Sequence, residues 1–262
     1  MYDGIRKATM GMEAMNLRQD VILNNLANVG TSGYRKESME FSSFSKIMEK
    51  EMDSKTGNPM DKSTEFQQAG INVESEGRLF TRTSTSFAQG SLKNTGNQFD
   101  LALDDDGKAF FTIQGKEGLT FSRSGSFRLD NAGFLVTPDG SNVMGHKGKI
   151  QLSGSSFEVT DNGTVKVDGK EIDKLLITEF DENIASRGLT HKGDNNFAAH
   201  GSGRVATNSS VKQGFLEMAN VNAVQSMVEL MSLMRAYEAN QKTLQAEDKM
   251  IQKTVSETGR VR

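Results

Sequence analysis

Apolar positions along this chain follow two different periods. Near the N-terminus, Ile5, Ala8, Met12, Met15, Gln19, Ile22, Leu26 and Val29 keep a seven-residue repeat with one polar interruption. Near the C-terminus, Met227, Leu230, Met234, Tyr237, Gln241, Leu244, Asp248, Ile251 and Val255 do the same with two. Such repeats describe helices that bury one seam against another helix. Asp3 is placed to cap the first, which is expected from about residue 4 to Asn28, with Gly30 and Gly33 supplying the positive φ that ends it. The second is expected to begin at Asn220 or Asn222, with Gln225 completing a capping box, and to run to about Glu257, before Gly259. At ~1.5 Å per residue it would be roughly 54 Å long and would need a partner surface along its length. If the two stripes pair with each other, the chain ends meet and the middle is looped out. If they pair with copies of themselves, the chain is a polymer subunit.

Between the stripes the period changes. Residues 34–70 are polar, with Phe41, Phe44, Ile47 and Met48 at helical spacing and a break at Gly57-Asn58-Pro59. From residue 72 onward, short β-branched and aromatic runs alternate with turns. Strands are expected at 99–103, 109–113, 119–123, 126–129, 133–137, 157–160, 164–167 and 173–180. The turns are Asp106-Gly107, Asp130 to Gly133, Pro138 to Gly140, Asn162-Gly163 and Asp168-Gly169. Asn162-Gly163 reads as a two-residue hairpin turn with both residues at positive φ. Residues 181–212 are weakly patterned, either loop or irregular edge strand.

The chain has 262 residues, enough for one large or two small domains plus helices, and 35% hydrophobic residues make a thin core. A net charge of −3 offers no basic excess for phosphates, which argues against nucleic acid. There are no cysteines, so disulfides, thiolate metal sites and a Cys nucleophile are excluded. This suits a protein that crosses membranes unfolded and ends outside a reducing compartment. Most of the 14 methionines lie in the terminal helices and the segment after the first, where flexible side chains adapt to irregular grooves. Arg6, Lys7, Glu13, Arg18 and Asp20 interrupt the N-terminal segment, so no signal peptide is expected, and no run reaches ~20 apolar residues. Export by an uncleaved amphipathic N-terminus and no membrane insertion are the expectations.

The search for chemistry is negative. His146, His191 and His200 sit among Gly, Lys and Asn without metal-ligand spacing, and read as solvated loop residues. Asp104-Asp105-Asp106-Gly107 fails as a calcium loop, because Ala102 and Ile113 occupy the first and twelfth positions. Gly140 to Gly145 has phosphate-loop spacing, but His146 stands where lysine is required. No nucleophile elbow occurs. No catalytic, cofactor-binding or metal residue is assigned, no cofactor is expected, and the chain is read as not an enzyme. Gln19, Gln241 and Asp248 interrupt the seams as residues that fix register do.

The segment Asn24-Asn25-Leu26-Ala27-Asn28-Val29-Gly30-Thr31-Ser32-Gly33-Tyr34-Arg35-Lys36 resembles the signature of the bacterial flagellar rod and hook family. So do Gln213-Gly214, Leu216-Glu217, Asn220-Val221, Met227-Val228, Arg235 to Lys242 and Asp248-Lys249-Met250 near the other end. Between them, Asp100-Leu101-Ala102, Phe110-Phe111, Phe121-Ser122-Arg123-Ser124-Gly125-Ser126-Phe127, Asp130 and Gly133 to Val136 are similar to the family's β-domain pattern. One departure, Leu103 to Ala109, stands where the family has a short glycine-rich turn.

The resemblance implies an α+β fold in which long N- and C-terminal helices pair as a coiled coil beside an antiparallel all-β middle domain. Residues 1–33 and 220–262 would form a helical polymerisation domain lining an inner tube. Residues 34–71 would be an extended, partly helical linker, and 72–215 a β-rich outer domain. The assembly residues carried over are Asn24, Asn25, Leu26, Ala27, Asn28, Thr31, Gly33, Tyr34, Asn220, Met227, Arg235, Tyr237, Glu238, Asn240 and Gln241. Arg235 with Glu238, and Glu238 with Lys242, have the spacing of helical ion pairs. The implied role is a structural subunit of the flagellar basal-body rod, polymerising helically into a hollow drive shaft that passes torque and conducts exported subunits. Implied partners are copies of itself, neighbouring rod and hook subunits, flagellar ring proteins and the type III export apparatus. Length, segment 45–70 and the Arg-Ala-Tyr-Glu-Ala-Asn run favour the rod over the hook, and the distal over the proximal rod. Rival readings are a β-domain adhesin on a coiled-coil stalk, which leaves the three signatures unexplained, and a glycan hydrolase, for which no carboxylate pair is indicated.

Overall fold

A computed structural model describes residues 2–42, 80–115, 118–154, 156–180, 189–193, 195–199, 203–206 and 210–258. Most of the linker, including the helical spacing at Phe44, Ile47 and Met48 and the break at Gly57-Asn58-Pro59, lies outside these residues, as does His200. Phe41 falls in the strand Glu37–Ser42. The chain divides into two compact units. One comprises Met1–Leu26, Glu37–Ser84 and Asn222–Arg262; the other comprises Ala27–Lys36 and Thr85–Val221.

The first unit holds helix α1 (Tyr2–Ala27), helix α2 (Ala223–Thr258) and a ribbon of Glu37–Ser42 with Phe80–Thr85. These are the two α-helices among the described residues. α2 starts where the Asn222 side chain accepts the Gln225 N–H at 3.1 Å, an N-cap bond that satisfies one of the free first-turn donors. The Gln225 amide turns toward Glu229 instead (3.4 Å), so the reciprocal half of the capping box does not form.

The α+β composition stands, but the coiled-coil pairing of the two helices does not. The expected seam of α2 is covered only in part: Met227 and Met234 are about half exposed and Gln241 and Asp248 are exposed, while Leu230, Tyr237, Leu244 and Ile251 are half-buried. Toward α1 the helix presents Glu229, Ser232, Leu233 and Ala236, which with Gly11, Ala14, Met15 and Arg18 line an open groove of about 470 Å³. Interlocked side chains would fill that space in a coiled coil. The reason lies in the helix period. At about 100° per residue, Leu233 and Ala236 are rotated by about that angle from Met234 and Tyr237. A heptad repeat specifies a face that needs covering, not the surface that covers it.

The second unit is β. Its described strand pairings are all antiparallel. Ten described strands form its largest sheet, in which Ala109–Gly115 pairs with Gly118–Ser122, Asn142–Gly145 and Ile177–Glu179. Residues 109–113 are all buried, as suits a strand covered on both faces. Alternation sends Phe111 into the main core with Leu101, Phe127, Leu135 and Val165. Phe110 joins Phe180 and Phe197 in a second cluster, with rings edge to face at 5.7 and 5.9 Å. Smaller ladders add Phe157–Val159, Thr164–Val167 and Lys170–Lys174, then Ser210–Gln213 on Leu101–Asp104, and Phe215–Glu217 on Leu92–Asn94.

The turns sort by backbone angle. Asp168 (φ 50°) and Gly169 (φ 76°) form the two-residue turn that needs both residues left-handed. Asn162-Gly163 differs from expectation. Only Gly163 is left-handed (φ 76°), its N–H reaches Thr160 O at 2.8 Å, and the loop spans Asp161 to Gly163. Gly30 likewise does not take the expected positive φ, whereas Gly33 does (φ 71°). Asp106-Gly107 is left-handed at both residues yet joins strands that do not pair, because Leu101–Asp104 pairs with Ser210–Gln213. In the weakly patterned 181–212 region, short strands appear at Leu189–His191, Asn196–Ala199, Arg204–Val205 and Ser210–Gln213.

Candidate assembly site

The asparagine-rich signature straddles the end of α1. Asn25, almost fully buried, clasps the main chain of Glu37: its amide donates to Glu37 O at 2.7 Å and its oxygen accepts Glu37 N–H at 2.9 Å. A buried amide paired on both sides leaves neither atom desolvated without a partner. Asn24 and Ala27 are exposed, while Leu26 is half-buried. After the helix, Asn28 closes a turn, its carbonyl taking the Thr31 N–H at 3.0 Å and its side chain the Thr31 hydroxyl at 3.2 Å. Tyr34 is buried with Ala219 and Val221, and Val29 packs against them.

Gly33 is required twice. Its φ of 71° suits glycine, and a Cβ there would stand 2.3 Å from Ser124 N and 2.5 Å from Arg123 C. The N-terminal signature is thus pressed directly on the Arg123-Ser124-Gly125 turn. Ser32 and Ser124 hydroxyls meet at 3.1 Å, and Gly33 N–H donates to Glu217 O at 2.8 Å.

Below this contact lies a buried ionic network that brings all three signatures together. Glu217 Oε1 pairs with Arg35 Nη1 at 2.8 Å, and its Oε2 with Arg123 Nη1 at 3.3 Å. Arg123 Nη2 continues to Asp105 at 2.6 Å. The Arg35, Arg123 and Glu217 side chains are wholly buried and Asp105 is nearly so. Two cations face two anions, so the network is neutral as a whole. Burial pulls the Arg35 guanidinium below its ordinary value, and Glu217 opposes that shift. Further bonds fix each member. Arg35 Nη1 reaches Ala88 O at 2.8 Å, Gly90 N–H donates to Glu217 Oε1 at 2.8 Å, and Arg123 lies over the Phe110 ring at 5.4 Å. Asp105 also accepts Gly107 and Ala109 N–H groups, which explains the departure at Leu103 to Ala109: the acidic turn anchors Arg123. Arg35 Nε and Nη2 and Arg123 Nε have no hydrogen-bond partner among the described residues. None of these four residues stands among the expected site residues, although Arg35, Arg123 and Glu217 each lie in a signature segment.

Asn220 ties the same region together. Its amide donates to Ser86 O at 2.9 Å and Ala88 O at 2.8 Å, and its oxygen accepts Lys36 N–H at 2.6 Å. The remaining expected residues lie on α2 in the other unit. Met227, Arg235, Glu238 and Gln241 are exposed, while Tyr237 and Asn240 are half-buried. Asn240 Nδ2 approaches Met15 Sδ at 3.6 Å. The expected ion pairs of Glu238 with Arg235 and Lys242 do not form among the described residues.

Val224, Met227, Val228, Met231 and Met234 follow helical spacing and are 49–73% exposed, an uncovered apolar stripe on the outer face of α2. Among the described residues, no group of three or more His, Asp or Glu side chains could hold a metal ion, and no helix is long and apolar enough to cross a membrane. His146 and His191 are exposed; His191 closes on Gly193 N–H at 3.2 Å and meets the Phe197 ring at 5.4 Å.

Terminal helices with an uncovered apolar face, joined in one chain to an antiparallel β unit that locks three signature segments together, define a structural assembly protein. Two family profiles match the chain. One, flagellar basal body rod FlgEFG protein C-terminal, matches residues 212–257; the other, flagellar hook protein FlgE/F/G D1 domain, matches residues 106–167. The chain is 33% identical over 280 aligned residues to the flagellar basal-body rod protein FlgG of Bacillus subtilis (strain 168), covering 98% of this chain and 97% of that one. It is 31% identical to FlgG of Agrobacterium fabrum (93% and 94% covered) and 31% identical to FlgG of Borreliella burgdorferi (96% and 97% covered). The chain belongs to the flagellar basal-body rod protein family, is most like the distal rod protein FlgG, and is a structural subunit of the rod. These relatives are structural proteins of the flagellar basal body.

Proposed function

We propose that the chain polymerises helically through its terminal segments, residues 1–33 and 220–262, into a hollow shaft that transmits torque and conducts later subunits. The β-rich segment 72–215 forms the outer layer, and residues 34–71 link the two. The observation that carries this reading is the uncovered stripe Val224, Met227, Val228, Met231 and Met234. Five apolar side chains on one face of a 36-residue helix need a partner in the working state. Copies of the chain supply it, with neighbouring rod and hook subunits at the ends of the stack. The flagellar ring proteins surround the shaft, and the type III export apparatus delivers the subunit with its N-terminus uncleaved. The chain performs no catalysis. Asn24, Leu26, Ala27, Arg235, Tyr237, Glu238 and Gln241 act at contacts between copies. Asn25, Asn28, Thr31, Gly33, Tyr34 and Asn220 hold the local structure on which those contacts depend.

The test is deletion of residues 222–262 in a flagellated host, scored by motility and by presence of the chain in isolated basal bodies. Circular dichroism of the purified truncation should retain the β signal while both assembly readouts are lost. A motile strain carrying the deletion would sink the proposal.

A further inference from the structure

We infer that the outer stripe of α2 seats in the groove between α1 and α2 of a second copy, making a head-to-tail contact. This rests on the polymerisation reading and specifies its surfaces. The groove is apolar and lined by small residues, Gly11, Ala14, Ser232 and Ala236, with Met15 and Leu233. Gly11 is informative. A glycine inside a helix costs about 1 kcal/mol relative to alanine. Yet an added Cβ would meet only the Asn240 amide, at an ordinary 3.8 Å. Packing within the chain does not require this glycine, whereas an incoming methionine side chain would use the space.

Charge supports the same occupant. Arg18 and Glu229 line the groove, and Arg235 and Glu238 flank the stripe; none of the four forms an ion pair among the described residues. Each surface carries one charge of each sign, so Glu238 of one copy can meet Arg18 of the next, and Arg235 can meet Glu229. Such pairing sets register more than affinity. Met231 and Leu233 lie about 200° apart around the helix axis, so stripe and groove occupy opposite faces of α2. A surface that binds a different surface on its neighbour leaves a free copy of each after every addition, which propagates rather than closes into a dimer.

The absence of native cysteine allows a direct test. Ala14→Cys and Met231→Cys are combined in the full chain as its only copy in a flagellated host, and isolated basal bodies are treated with diamide. Cα atoms within about 7 Å across the contact can be bridged. A ladder of cross-linked oligomers is expected on a non-reducing gel from the double variant, and monomer from each single variant. Incorporated double variant that yields no ladder, or dimers from Met231→Cys alone, would overturn the contact while leaving the rod reading intact. Absence of the wild-type chain from basal bodies would instead overturn the rod reading. Should the double-cysteine chain fail to assemble, Arg18→Glu and Glu238→Arg provide the second arm. Each alone should reduce the motility zone, and their combination should restore it; no restoration refutes the pairing.

Discussion

Glu217 is the single carboxylate that both Arg35 and Arg123 share, at 2.8 and 3.3 Å, with all three side chains wholly buried. Glu217→Gln keeps the shape and removes the charge. Arg35 then has no buried counter-charge in direct contact, and Arg123 keeps only Asp105 at 2.6 Å. Removing one partner of a buried ion pair costs about 3–5 kcal/mol, because the remaining charge stays desolvated without compensation. For a unit of this size each kcal/mol lowers the melting temperature by about 2–4 °C, so a fall of about 6–20 °C is expected. Differential scanning calorimetry of the purified full chain measures it. The quadruple variant Arg35→Met, Glu217→Met, Arg123→Met, Asp105→Asn provides the contrast. It removes every charge of the network at once, and should recover most of the loss. A fall below about 2 °C for Glu217→Gln, or a quadruple variant no more stable than the single one, would refute the electrostatic account.

Gly33→Ala places a methyl 2.3 Å from the Ser124 nitrogen at a left-handed φ, so it should cost more than the ~1–2 kcal/mol of the backbone angle alone, read by urea unfolding. Asn220→Ala removes three hydrogen bonds to Lys36, Ser86 and Ala88, an expected loss of about 2–4 kcal/mol, with Asn220→Asp recovering only the bond to Lys36 N–H. The bonds from Lys212, then Gln89, hold the Asp104 carboxyl below its ordinary value. A lowered folded value means stabilisation that is present above about pH 4 and is lost as pH falls through the folded value. Lys212→Ala should therefore flatten the dependence of the urea midpoint on pH below 4, and an unchanged slope would count against the Asp104–Lys212 pair.

Local chemistry was legible where a short segment decides its own conformation. Asp168-Gly169 carries its turn type in two residues, and the buried run Ala109 to Ile113 reads directly as a central strand. Asn162-Gly163 marked a hairpin correctly but not its form, because the loop takes three residues, Asp161 to Gly163, between the paired Thr160 and Thr164. Periodicity misled at the helices. The repeat through Met227, Met234 and Gln241 locates an apolar face, yet nothing in the period says that Leu233 and Ala236 turn toward α1 instead. The ionic network was the least accessible feature, since Arg123 and Glu217 are 94 residues apart and charge is a poor sign of burial. Their membership in signature segments was the available clue, and it pointed to importance without revealing the partner.

The position of Glu217 in the chain also governs when the β unit can close. Synthesis runs from the N-terminus, so Arg35 and Arg123 leave the ribosome well before the carboxylate they share. The same delay applies to Ser210–Gln213 and Phe215–Glu217, the late strands that complete ladders with Leu101–Asp104 and Leu92–Asn94. A nascent chain lacking its last fifth leaves Arg35 without its carboxylate, Arg123 with Asp105 alone, and two strand edges open. Burying Arg35 before that segment is present would leave its charge desolvated without the shared carboxylate, which is unfavourable. The Arg35–Glu217–Arg123 link thus ties the packing of the first signature to a residue that is made late in the chain.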